Sequence, residues 1–157
     1  MNVYFFDTSA LVKLHVPEAG SSEVKNILRK TRADPPSARV LVSRLAYPEC
    51  MSAVARRQNA GTLSDLAARR IQGKLAVTFT GRVHAFDIAD PRPEQINHAA
   101  ALVARHRIRG FDAVHLATPL TMRSLAAPHH TFIFVSADVK LNAAALAEQL
   151  AVHPPLR

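Results

Sequence analysis

The chain predicts an α/β fold built on an open, mainly parallel sheet. Short apolar runs alternate with helix-like stretches throughout, without an internal repeat or low-complexity tract. Two of the runs end on or just before an aspartate: Asp7 closes Val3-Tyr4-Phe5-Phe6, and Asp138 follows Phe132-Ile133-Phe134-Val135-Ser136. In such a sheet the crevice outside the strand C-termini is where ligands bind, so acids far apart in sequence can share one pocket.

In chain order, residues 2–6 read as a buried central strand, after which Asp7-Thr8-Ser9 caps a helix through Leu14. Pro17-Glu18-Ala19-Gly20 is a turn. Ser21 or Ser22 caps a helix that keeps Val24, Ile27 and Leu28 on one face until Asp34-Pro35-Pro36 breaks it. Val40–Ser43 reads as the second strand, Tyr47–Asn59 as a helix ended by Gly61, and Thr62 or Ser64 opens a helix toward Val77. Ala85–Ile88 is the expected third strand. Asp90-Pro91-Arg92-Pro93 then starts a helix expected to bury Ile96, Ala100 and Val103. Asp112 opens the next helix, Thr131–Ser136 is the last strand, and Asp138–Leu150 the last helix. Residues 1–150 are thus read as one domain, and residues 151–157, with Pro154-Pro155, as a frayed tail.

Composition bounds the function. No apolar run approaches the roughly 18 residues of a membrane span, and the N-terminus has no signal-peptide layout, so a soluble, cytoplasmic protein is expected. The lone Cys50 has no partner for an internal disulfide or a zinc motif, and reads as a packed helix thiol in a reducing compartment. A formal charge of +8, carried mostly by arginine, favours a polyanionic partner.

Against that basic background the acids stand out. Asp7, Asp112 and Asp138, joined by Glu49 near a helix start, would repel one another unless a cation sat among them, and hard oxygen donors select Mg²⁺ or Mn²⁺. The chemistry that follows is metal-assisted phosphodiester hydrolysis, with Asp7 and Asp112 as direct ligands and Glu49 and Asp138 holding metal-bound waters or a second ion. Thr8, Ser9 and Ser136 add hydroxyls beside the pocket. Each acid also has a plain structural reading: Asp7, Asp112 and Asp138 as helix caps, Glu49 as a first-turn glutamate facing the helix dipole.

The ordered set Phe6-Asp7-Thr8-Ser9-Ala10-Leu11, Tyr47-Pro48-Glu49, Phe111-Asp112-Ala113-Val114-His115-Leu116-Ala117 and Ser136-Ala137-Asp138 resembles the PIN domain, especially the VapC-type toxins of bacterial toxin–antitoxin pairs. Pro17-Glu18-Ala19-Gly20-Ser21 matches a turn common after the first helix of such proteins. The resemblance implies a three-layer α/β/α sandwich, Mg²⁺- or Mn²⁺-dependent endoribonuclease activity, homodimerisation and inhibition by a cognate antitoxin. It carries the acidic-pocket role to Asp7, Glu49, Asp112 and Asp138, and a hydroxyl role to Ser136. Pro119 departs from it, standing where similar proteins carry a helix former, so a kink or early stop is expected there.

His115, one turn after Asp112, is the best functional candidate among the histidines, but a structural role is favoured. An amphipathic ring on a mixed helix face often packs and hydrogen-bonds locally, and metal-activated hydrolysis requires no histidine base. Arg44, Arg105, Arg107 and Arg109 flank the acidic segments and could guide RNA phosphates. An aspartyl phosphatase would explain Asp7 but needs a second Asp two residues on, where Ser9 stands. A catalytically silent RNA-binding or regulatory module, or a solitary nuclease without an antitoxin, are the remaining alternatives on the same scaffold.

Overall fold

A computed structural model describes residues 1–34, 37–80 and 86–155. Its described elements are β1 (Asn2–Phe6), α1 (Thr8–His15), α2 (Ser21–Ala33), β2 (Ala38–Ser43), α3 (Ala46–Asn59), α4 (Asp65–Thr80), β3 (Asp87–Ala89), α5 (Pro93–His106), α6 (Gly110–Leu125), β4 (Thr131–Val135), α7 (Val139–Ala147) and β5 (Ala151–His153). The five strands form one sheet in the order β3-β2-β1-β4-β5, and every pairing is parallel. This is the α/β/α sandwich that the sequence predicts.

The layers follow from the two-residue period of the strands. Phe6, Val42 and Val135 are in register and pack on one face against α1–α4. Phe5, Leu41 and Phe134, one residue earlier in each strand, face α5–α7. Phe5 and Phe134 stack with ring centroids 5.7 Å apart, and both are fully buried. Because both faces are covered, the central strands read as unbroken apolar runs.

Several boundaries and faces differ from the sequence reading. Strand β3 begins at Asp87; the expected start at Ala85, like the break at Pro35-Pro36, lies outside the described residues. Helix α5 buries Gln95, Ala99 and Leu102 instead of Ile96, Ala100 and Val103. Gln95 turns inward because its Oε1 accepts the Arg92 N–H at 2.9 Å, which rotates Ile96 outward to 47% exposure. Helix α6 starts at Gly110, so Asp112 sits inside its first turn and does not cap it. The helix continues through Pro119 to Leu125, and no early stop occurs. Residues 113–120 are all buried, and that packing holds the segment helical although the proline removes one N–H, a loss of roughly 3 kcal/mol in an unadapted helix. Helix α7 ends at Ala147, before the expected Leu150. Residues 151–153, read as tail, instead form the edge strand β5 against Ile133–Val135. No described helix is long and apolar enough to cross a membrane.

Candidate active site

The sheet order places a topological switch between β1 and β4, where successive connections leave in opposite directions. Asp7 follows β1 at this point and Ser136 follows β4; the Asp7 N–H donates to the Val135 carbonyl at 3.1 Å, tying the two strand ends together. Asp7 is only 5% exposed. Its Oδ1 accepts from the Ser9 hydroxyl at 2.7 Å and the Ala10 N–H at 3.0 Å, while Oδ2 accepts from the Ser136 hydroxyl at 2.7 Å. Capping and site-building therefore coexist in one side chain. Each carboxylate oxygen has room for about two donors, so Oδ1 is filled and Oδ2 keeps one open position.

Ser9 and Ser136 extend this network toward the last acid. Ser9 Oγ accepts from the Ala137 N–H at 2.8 Å and Ser136 Oγ from the Asp138 N–H at 3.0 Å, while Asn142 Nδ2 donates to the Ser136 carbonyl at 2.8 Å. Asp138 caps α7 through a 2.9 Å bond from the Leu141 N–H to Oδ1.

Glu49 belongs to a second hydrogen-bonded group. The Thr8 hydroxyl donates to its Oε2 at 2.6 Å, and His115 Nε2 contacts the same oxygen and lies 3.2 Å from the Thr8 Oγ1. His115 is 1% exposed and its Nδ1 is buried without a partner among the described residues. A hydrogen on Nε2 meets Glu49, whereas one on Nδ1 would be an orphaned buried donor, so the Nε2-protonated tautomer suits this setting. The ring thus joins the site, a role the sequence reading ranked below a structural one. The signal was its spacing: residues three apart share a helix face, so His115 points the way Asp112 does.

The acids are divided by their surroundings. Burial pushes the Glu49 carboxyl upward, but the hydrogen bond and charge of His115 and the Thr8 hydroxyl outweigh it, and its proton affinity ends below the ordinary value. Asp7 goes the other way, because burial outweighs its three hydrogen bonds and the field of His115. Asp112 is also raised, by burial first and then by the charges of Asp138, Glu49 and Asp7, with only His115 opposing. No hydrogen bond or ion pair reaches its carboxylate among the described residues, leaving its oxygens open.

Among the described residues no three His, Cys, Asp or Glu side chains converge on a single metal position. The structure brings the four acids into one electrostatic field without closing them into a cage. Mg²⁺ takes one or two direct carboxylates and keeps several waters, so this donor set is compatible with it, Asp7 Oδ2 and Asp112 being the oxygens with open capacity.

The flanking arginines separate in the same way. Arg44 is held by Asp90 and Arg105 by Glu148, the latter at 2.7 Å, so neither is free for phosphate without exchange. The carbonyl of Arg107 accepts from Lys140. Arg109 stands at the N-cap position of α6 without a capping side-chain hydrogen bond, and lines an open pocket with Glu49 and Asp112.

The PIN domain family model matches residues 4–145. Ribonuclease VapC45 of Mycobacterium tuberculosis is 36% identical over 124 residues, covering 78% of each chain. Among solved structures, VapBC2 from Rickettsia felis, bound to a DNA fragment from their promoter, superposes with a TM-score of 0.66 at 12% identity, covering 97% of this chain and 98% of that one. A toxin–antitoxin complex from Klebsiella pneumoniae does so with a TM-score of 0.62 at 15% identity, covering 98% of both.

Proposed function

Because the chain belongs to the PIN domain family, we propose that it is a Mg²⁺- or Mn²⁺-dependent endoribonuclease of the VapC type, the toxin of a pair held in check by a cognate antitoxin. The observation that carries this reading is Asp112: a carboxylate with open oxygens at the mouth of the sheet crevice, its proton affinity raised by burial first and then by three neighbouring acids. Such a group is relieved by a hard cation. The relative named a ribonuclease, and the structural neighbour named a toxin–antitoxin complex, support the substrate and the partner. Dimerisation and a cytoplasmic location belong to the same proposal.

Asp7 and Asp112 are the direct metal ligands in this reading, with Glu49 and Asp138 orienting the surrounding water. The ion, when bound, supplies Lewis acidity at the phosphoryl oxygens and lowers the pKa of the attacking water. Ser9 and Ser136 fix the Asp7 carboxylate and leave Oδ2 with one open acceptor position. Thr8 and His115 hold Glu49 from two sides and stop it swinging toward solvent. The net charge of +8 draws a polyanionic strand toward the surface, while the uncompensated acids resist phosphate until a cation is present.

Cleavage of single-stranded RNA by purified protein, with EDTA and with added Mg²⁺ or Mn²⁺, tests the reading. The expected result is no cleavage in EDTA, recovery with either ion, and loss by orders of magnitude in Asp7→Asn and Asp112→Asn. Equal cleavage without metal would refute it; metal-insensitive binding without cleavage would favour the silent RNA-binding module. Co-expression with a neighbouring small open reading frame tests the partner, and a complex that leaves cleavage unchanged would refute inhibition.

A further inference from the structure

Between α5 and α6 lies an open pocket of about 520 Å³ that begins at the site acids Glu49 and Asp112 and continues over Ile96, Val103 and Phe111, with Arg109 also in its lining. Its size falls in the range of small-molecule sites. Phe111, adjacent in sequence to Asp112, is 57% exposed, and Ile96 in the opposing helix is 47% exposed. Phe111 has no ring partner among the described residues. The Arg109 side chain likewise has no ion pair among them. An apolar wall, an unstacked aromatic ring and an unpaired cation thus adjoin the acids.

We propose that this pocket is a nucleobase subsite, in which Phe111 stacks on a base next to the scissile phosphate and Arg109 pairs with a neighbouring phosphate. The assignment rests on reading the acids as a phosphodiester-cleaving centre. A strand whose phosphate lies at Asp112 carries a base only one sugar away, and the wall that begins at Asp112 is apolar. That strand brings both features the pocket complements: a flat π face for Phe111 and a negative charge for Arg109. An apolar side chain of a protein partner would fill the wall, but would leave Arg109 unanswered unless it also brought an acid.

The protein contains no tryptophan, so Phe111→Trp introduces a single fluorescent reporter. The probes are a single-stranded oligoadenylate and an abasic strand of the same length and charge, both with phosphorothioate linkages that resist cleavage, in the presence of Mg²⁺. The oligoadenylate should quench the introduced indole and the abasic strand should not. Phe111→Ala should weaken oligoadenylate binding about five- to hundredfold, the measured scale of base stacking, with abasic binding unchanged. Arg109→Ala should weaken both. Equal quenching by the two strands, no binding of either, or unchanged affinity in Phe111→Ala would overturn the subsite. So would loss of a co-expressed protein partner in Phe111→Ala with RNA binding intact, which assigns the pocket to protein docking. Cleavage by Asp112→Asn separates the two readings: activity retained there sinks the nuclease assignment, whereas activity lost there with unaltered Phe111 variants sinks only the subsite.

Discussion

Replacing Asp7 by Asn should abolish cleavage and make the protein more stable. Asp7 is 5% exposed, and burial raises its proton affinity despite the hydrogen bonds from Ser9, Ala10 and Ser136. A carboxyl whose folded pKa lies above its unfolded value near 3.9 binds more protons in the native state, so stability falls as pH rises between those two values. Below the unfolded pKa the side chain is neutral in both states and costs nothing; above the folded pKa the full cost is present. Each unit of elevation corresponds to about 1.4 kcal/mol. Asn keeps the shape: its Oδ1 can accept from Ser9 and Ala10, and its Nδ2 can donate to Ser136 Oγ once that hydroxyl turns toward Ser9, 3.5 Å away. For a chain of 157 residues, each kcal/mol recovered raises Tm by roughly 2–4 °C. Thermal melts in EDTA from pH 4 to pH 8 should show almost no difference at pH 4 and a widening, then level, advantage for Asp7→Asn. Mg²⁺ at a hundredfold excess over its Kd should stabilise the wild type by about 2.7 kcal/mol and the variant far less. A variant less stable than wild type at pH 8, or a difference independent of pH, would refute the argument by showing that the hydrogen bonds outweigh burial.

His115→Leu removes a donor from Glu49 and should lower stability by about 1.5–3 kcal/mol, the scale of a hydrogen bond to a charged group, together with cleavage. His115→Gln, whose amide can reach the same oxygen, should restore part of both; equal loss in the two variants would reduce the ring to a packing role. The Cys50 thiol, fully buried and pushed up to about 12 chiefly by burial, with Glu49 and Asp7 adding to the effect, should resist iodoacetamide at pH 8 until the protein unfolds. Rapid native-state alkylation, followed by mass spectrometry, would contradict that placement. Phe5→Ala, emptying the stacked contact with Phe134 beneath α6, should cost about 3–5 kcal/mol; a loss below 1 kcal/mol would contradict its place in the core.

What the sequence disclosed, it disclosed through patterns that depend on few residues at a time. Short apolar runs rich in aromatic and β-branched residues, such as Phe132–Val135, read as buried strands, and an acid at the end of a parallel strand faces the crevice wherever the neighbouring strands lie. Contacts that depend on two distant elements meeting were not legible. Glu49 and His115 are 66 positions apart, and they become partners only because the fold brings the start of α3 and the first turns of α6, from opposite faces of the sheet, to the same sheet edge. The face of α5 was misread because Ile96, Ala100 and Val103 are all apolar at helical spacing, whereas the buried set Gln95-Ala99-Leu102 begins with a polar residue that turns inward through its bond with the Arg92 backbone. Strand β5 escaped because a three-residue segment has too few positions to show a period; its identity comes from the edge of β4 it satisfies.

The uneven treatment of the four acids is itself an argument about what the site is built to do. Glu49 is given a hydroxyl and an imidazole and ionises readily; Asp7 and Asp112 are left raised by burial and, at Asp112, by their neighbours. A fold selected only for stability would pair Asp112 with one of the surface arginines that flank it, yet Arg44 and Arg105 answer Asp90 and Glu148 instead. The unanswered charge therefore sits at the mouth of the crevice, where an incoming cation gains most from it and protons compete for the same oxygens. Metal affinity should accordingly weaken as pH falls through the raised range of Asp7 and Asp112, while Glu49 stays ionised and held by Thr8 and His115. Calorimetric titration with Mn²⁺ across pH 4 to pH 8 measures this directly, and an affinity that did not change with pH would show that these two carboxylates are not the ligands.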